Sequence, residues 1–205
     1  RNPVARPDSP ELSKQNINDS TLTNAKISIG TLNDLLTFES EEALITTFGA
    51  SNVARDIYQN SEVEGTWPTS VLFLDTKNEV IFIWNDTVSF VGLSKITHSA
   101  NSEHAYVSDW KTSEGIALGT AIPELEKING GPFIFYAFGW NFEGQVVWTN
   151  PETHARGVYV ALRIPEESRS KGLHINEVGE QISSDSEQAM LANLRVAYIE
   201  LRKKE

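Results

Sequence analysis

The chain has 205 residues, of which 40% are hydrophobic and 22% charged; that length buries a real core, and that composition is globular. Lys and Arg number 17 against 28 Asp and Glu, and the resulting net charge of −11 repels phosphate backbones, which argues against nucleic acid as a partner. There is no cysteine, and apolar runs such as 80–84 are strand-sized and far short of a transmembrane segment.

Residues 1–25 are polar and carry Pro3, Pro7 and Pro10 without helical or strand periodicity. They read as a tether left by removal of an export signal or following a lipid anchor upstream of residue 1; an arbitrary boundary of the sequence accounts for them equally well. Residues 26–97 form the first folded unit. Thr31 and Asp34 have capping-box spacing for a short helix. Ser40 opens a second helix with Glu41 and Glu42 in its first turn, Leu44 and Phe48 on one face, and Gly49 as its stop. Strands are predicted over 53–58, 70–74, 79–84 and 89–96, with Asp75-Thr76-Lys77-Asn78 as a tight hairpin turn.

A linker over 98–114 leads to a second unit, 115–205. Here Thr120 is expected to cap a helix with Pro123 in its first turn and a stripe of Ile122, Leu125 and Ile128, ended by Asn129-Gly130. Strands are predicted over 133–140, 145–150, 157–164 and 195–201, interrupted by an insertion over 165–194 with a short helix at 186–191. Ile27-Ser28-Ile29-Gly30-Thr31 recurs as Ile116-Ala117-Leu118-Gly119-Thr120 ahead of the same succession of elements. The predicted fold is therefore α+β: two tandem units, each a helix plus a four-stranded antiparallel sheet, forming one curved sheet with helices on one face.

Val80, Phe82 and Trp84 alternate with Ile81 and Ile83, so both faces of that strand are apolar. The face opposite the helices must be covered, or it is a binding surface.

The stretch from Gly119 and Thr120 through Leu125 and Ile128 to Gly130-Gly131-Pro132-Phe133 resembles the opening of the SmpA/BamE-like envelope lipoproteins. The tandem arrangement resembles the β-lactamase inhibitor proteins, and Phe138-Gly139-Trp140-Asn141-Phe142-Glu143-Gly144 is similar to uncharacterised exported proteins of Bacteroidetes. The resemblance implies an extracytoplasmic protein, periplasmic or anchored to the outer membrane. It departs from the inhibitors in lacking the cysteines of their disulfides, and from the lipoproteins in that no Pro follows Phe48-Gly49-Ala50.

Trp67, Phe82, Trp84, Trp140, Phe142 and Trp148 are the candidate partner-binding residues, with Trp110 beside them. On an open sheet face they suit recognition of a protein or peptide; covered by the N-terminal arm or the insertion they form a second core. Saccharide stacking is a third use, with Asn141, Glu143 and Gln145 as polar neighbours. His98, His104, His154 and His174 are scattered, without metal-ligand spacing, and read as surface residues. No carboxylate pair, nucleophile constellation or phosphate loop stands out, and no cofactor is indicated. Asn18-Asp19-Ser20 and Asn85-Asp86-Thr87 match the glycosylation acceptor triplet, a pattern common by chance. The reading is a non-enzymatic binding module of the envelope; the alternative is a saccharide-binding protein or hydrolase there.

Overall fold

A computed structural model describes residues 30–59, 66–100, 106–139, 142–151, 157–172, 175 and 180–203. The predicted tether over 1–25 and Trp140, His104, His154 and His174 lie outside the described residues.

After Gly30 a 3-10 turn, Leu32–Thr37, buries Leu32 and Leu35. Asp34 fixes its start: Oδ2 accepts the Gly30 and Thr31 N–H groups at 2.8 Å each. The Gly30 N–H is the main reason the Asp34 carboxyl is held below its ordinary pKa. Helix α1, Glu41–Phe48, begins at Ser40, whose hydroxyl accepts the Ala43 N–H, and stops at Gly49 with φ 88°. Strands β1 (Val53–Gln59), β2 (Thr66–Leu72), β3 (Val80–Asp86) and β4 (Val91–Ser99) then follow as an antiparallel meander.

Helix α2, Ile122–Asn129, starts one residue later than predicted. Ala121 is the N-cap, and its N–H is satisfied by Glu124 Oε2 at 3.0 Å. The Thr120 hydroxyl instead accepts the Ala117 N–H, closing the preceding turn. Gly130 ends α2 in the left-handed conformation, as the sequence predicts. Strands β5 (Ile134–Tyr136), β6 (Val146–Val147) and β7 (Val158–Arg163) are shorter than the apolar runs that suggested them. Gly139 lies beyond the end of β5 with φ 90°.

The insertion contains more structure than its polarity suggests: α3 (Glu166–Arg169), β8 (Gln181–Ser183) and α4 (Glu187–Ala192). Strand β8 presents only Ile182 to the core, too little for a periodicity signal, and pairs with β5. Ser184 locks that junction, accepting the Phe133 N–H at 3.0 Å and donating to Glu126 of α2 at 2.6 Å. Strand β9, Arg195–Arg202, closes the described chain.

Among the described residues, nine strands make two antiparallel sheets, one ordered β1-β2-β3-β4-β9-β7 and the other β6-β5-β8. The two meet where Gln145 bridges Ala161 and the Leu162 N–H donates to the Gly144 carbonyl at 2.8 Å. Gly144 is indispensable there: a Cβ would fall 2.0 Å from the Leu162 carbonyl oxygen.

One continuous core joins both halves of the chain. Leu44 of α1 and Leu125 of α2 belong to the same apolar cluster as Val80, Phe82 and Trp84 of β3, Ile96 of β4 and Ile199 and Leu201 of β9. Each such side chain contributes about 1.5–3 kcal/mol on burial. A second, small cluster of Val71, Ile81 and Ile83 lies on the other face of the large sheet, with Tyr58 and Leu74 packed on it. No helix among the described residues is long and apolar enough to cross a membrane.

Candidate functional site

The two faces of the large sheet follow from its register. Pairings Phe82↔Ile96 and Val160↔Ile199 run along the core face. On the opposite face Asp56↔Thr69, Thr69↔Ile83, Ile83↔Lys95, Lys95↔Arg202 and Tyr159↔Glu200 run from β1 to β7. Tyr58 pairs with Trp67, and Ala161 with Tyr198, on that same opposite face. This face is tyrosine-rich and charged.

Its centre is a cluster on β4 and β9. Glu200 is only 6% exposed, yet it is fully engaged. Lys95 Nζ donates to Oε2 at 2.9 Å, the Tyr198 hydroxyl donates to Oε2 at 2.9 Å, and Arg202 Nε donates to Oε1 at 2.7 Å. Burial pushes the Glu200 carboxyl up, but the bonds from Lys95, Arg202 and Tyr198 outweigh it and hold the pKa below its ordinary value. The Tyr198 phenol is pushed far up, first by burial and then by the neighbouring Glu200 carboxylate. It is a permanent donor.

Aromatic rings enclose the charges. The Arg202 guanidinium lies 4.3 Å from the centroid of Tyr159, and the Lys95 ammonium 6.0 Å from that of Tyr58. Tyr58 lines the same depression as Tyr198, although the two stand on β1 and β9. Together with Phe142, Glu143 and Gln145 from the β5–β6 turn these residues line an open depression of about 320 Å³. Phe142 is 42% exposed, and its ring lies 6.2 Å from that of Tyr136. The arrangement offers π faces, a guanidinium edge and an ammonium to a docked molecule.

The residues singled out in the sequence divide between the faces. Trp67 and Phe142 belong to the open side, half-buried and exposed respectively. Phe82, Trp84 and Trp148 are core residues, 0%, 2% and 7% exposed. Each buried indole N–H has an acceptor: Trp84 donates to Ser70 Oγ and Trp148 to the Val158 carbonyl, both at 2.9 Å. Trp110 is half-buried and donates to the Asn78 carbonyl. The tyrosines and the Lys95, Glu200 and Arg202 cluster escaped sequence reasoning. The signal was present in β9, where Tyr198, Glu200 and Arg202 alternate with Ala197, Ile199 and Leu201, the pattern of a strand with one face in the core and one outside.

His98, expected at the surface, is buried on β4. Its Nδ1 lies 2.7 Å from the Glu79 carbonyl, which can only accept, so Nδ1 carries the proton and Nε2 accepts from the Ser108 hydroxyl at 2.7 Å. A Ser–His contact of this kind can activate a hydroxyl. Here the same Ser108 oxygen already accepts the Trp110 N–H at 2.9 Å, and the Asp109 N–H is used by Asn78. The group fastens the segment after β4 to the sheet. Burial lowers the His98 pKa and keeps the ring neutral. Among the described residues no group of three or more His, Asp or Glu is placed to hold a metal ion.

No protein-family profile, no curated protein and no solved structure matches this chain.

Proposed function

We propose that this protein is a non-enzymatic binding module of the cell envelope that engages a protein or peptide through the tyrosine-lined open face of its large sheet. One observation carries the reading. Tyr58, Tyr159, Tyr198 and Phe142 surround the Lys95, Glu200 and Arg202 cluster in a solvent-facing depression, which no helix among the described residues lines. Tyr and Arg supply most of the binding energy at protein interfaces, because they bury large area at low entropic cost and still hydrogen-bond.

The two-unit architecture belongs to the same proposal. In the strand order β4 and β9, the last strands of the two halves, lie side by side, with β3, β2 and β1 running outward on one side and β7 on the other; β5, β6 and β8 of the second half form the separate small sheet in place of the predicted continuation. That adjacency supports two units joined at their last strands, as the resemblance to SmpA/BamE-like and β-lactamase inhibitor proteins implies. Tyr58 supports curvature: β1 and β4 are three strand spacings apart, about 14 Å in a flat sheet, yet the Lys95 ammonium of β4 lies 6.0 Å from the centroid of the Tyr58 ring on β1. The same resemblance implies an extracytoplasmic location, periplasmic or lipid-anchored, which cell fractionation with a protease-accessibility assay tests.

Selection from a displayed random-peptide library, followed by NMR mapping of the hits on the full chain, tests the binding site. Bound peptides should shift the amides of Tyr58, Tyr159 and Arg202. The double substitution Tyr159→Ala and Phe142→Ala should weaken them at least tenfold with Tm changed by only a few degrees. Hits that map elsewhere, or none at all, count against the reading. A second reading, saccharide binding, is favoured by Gln145 and Glu143 standing beside Phe142 and Tyr159 in the depression; a glycan array that returns ligands sensitive to Tyr159→Ala would replace the first.

A further inference from the structure

At the far end of β9 from Arg202, positive charge is concentrated in a way that the fold itself does not reward. Arg163 on β7 stands directly opposite Arg195 on β9 in antiparallel register. Like charges in that position destabilise a sheet, and they do so here in a chain of net charge −11 with carboxylates to spare. Among the described residues neither arginine has an anionic partner. Arg195 donates only to neutral acceptors, the Gly119 carbonyl from Nη1 at 3.4 Å and Asn193 Oδ1 from Nη2 at 3.1 Å. Arg163 is exposed and has no partner among the described residues. A third guanidinium joins them: Arg169 of α3 donates from Nε to the carbonyl of Ile164, the residue after Arg163. Its contact with Glu166 is long, 3.8 Å, and that carboxylate is 82% exposed; such a pair is worth little.

Tyr106 lies over this end of the sheet. It is held with φ 59°, a conformation unusual for a bulky residue. Its backbone rests so closely on Gly119 that a Cβ there would fall 2.9 Å from the Tyr106 carbonyl oxygen. Burial raises the phenol pKa, the fields of Arg163, Arg169 and Arg195 partly offset that rise, and Glu167 adds to it. Three guanidiniums and a phenol therefore converge on one surface. Strained backbone and unpaired like charges persist in native structures where binding makes use of them.

The geometry points to a second binding site, in which Arg163, Arg169, Arg195 and Tyr106 take up a tetrahedral oxyanion group, that of a phosphate or sulfate ester. Guanidinium edges match the oxygen spacing of such groups in forked hydrogen bonds, and the Tyr106 hydroxyl adds one neutral donor. Three guanidiniums against Glu166 and Glu167 leave a local excess of one positive charge, and the three terminal oxygens of a phosphate or sulfate ester offer an acceptor to each guanidinium where a carboxylate offers only two. The acidity of the rest of the surface restricts the ligand to one carrying an isolated anionic group, not a polyanion.

Amide and arginine side-chain NMR of the full chain, titrated at constant ionic strength with inorganic phosphate, inorganic sulfate or acetate, tests this. Saturable shifts at Tyr106, Gly119, Arg163 and Arg195 with phosphate or sulfate, at least tenfold tighter than with acetate, are expected. The tighter of the two dianions then identifies which ester the site accepts. Arg163→Gln removes the opposed like charge, so it should melt no lower than the parent chain while weakening the dianion at least tenfold. Acetate binding as tightly as the dianions, non-saturable shifts, or an Arg163→Gln response equal to the parent's would each overturn the assignment.

Discussion

The two faces of the large sheet use the same chemical unit for opposite ends. On the core face Arg55 stacks 4.0 Å from the Phe90 ring and donates from Nη2 to Glu41 at 2.6 Å. On the open face Arg202 stacks 4.3 Å from Tyr159 and donates to Glu200 at 2.7 Å. Both carboxylates are 6% exposed. The difference lies in what else each one holds. Glu41 sits at the start of α1 and accepts the hydroxyl of buried Ser70, which in turn accepts the Trp84 indole N–H. That unit docks a helix. Glu200 gathers Lys95, Arg202 and Tyr198, groups that border an open depression and can turn toward a ligand or toward water. The lesson is that burial of the anion does not distinguish a structural ion pair from one available for binding; the accessibility of its donors does.

The sharpest way to break this contrast is to remove bulk from each face. Trp84→Ala should cost about 4 kcal/mol through the cavity it leaves, whereas Tyr159→Ala should cost about 1 kcal/mol or less while abolishing peptide capture. Comparable losses in a denaturant titration would mean that the open face is a second core. Gly144→Ala is expected to approach the Trp84 effect, about 3 kcal/mol or more. Its Cβ meets the Leu162 backbone, which cannot turn aside as a side chain can; the turn carrying Phe142 would have to detach from β7.

Removing the carboxylates separates the two ion pairs. Glu41→Ala should destabilise by about 3 kcal/mol, since it strands the hydroxyl of fully buried Ser70. Glu200→Ala should cost about 1–2 kcal/mol, because Lys95 and Arg202 become hydrated instead. Equal losses by thermal melting would erase the distinction.

Acid titration supplies the smallest and most selective effects. The Glu200 pKa is lowered in the folded state, so its contribution is complete above the unfolded value near 4.5 and disappears as the pH falls through the folded value. Glu200→Gln should flatten that acid limb. His98 acts at a higher pH, through the unfolded state. Its folded pKa lies below the unfolded value near 6.5, so the unfolded chain binds more protons in the window between them, and stability declines as the pH drops below 6.5. In His98→Asn that early decline should be missing from stability measured against pH.

Much of the local structure was legible because its causes are local. Ser40 before Glu41 and Glu42, Gly49 at the far end, the Leu125 stripe closed by Gly130 and the alternation of β3 each act within a few residues. The departures also have local reasons. Ala121 displaces Thr120 as the cap of α2 because Thr120 is engaged in the turn before it, and its carbonyl accepts the Val196 N–H of β9. Strand β8 went unread because it buries one side chain and takes its register from β5.

The sequence alone established an antiparallel α+β protein with β3 apolar on both sides. It also contained, in the alternation of β9, a strand with one face out of the core. It could not decide which side of β3 the helices cover, since Phe82 and Trp84 are as apolar as Ile81 and Ile83, and the choice rests on where Leu44, Leu125 and Ile199 come to lie. Nor could it assemble a site in which Lys95 and Glu200 are 105 positions apart. Periodicity reports the environment of a residue along its own strand, while a binding face is made by strands that meet only when the chain folds.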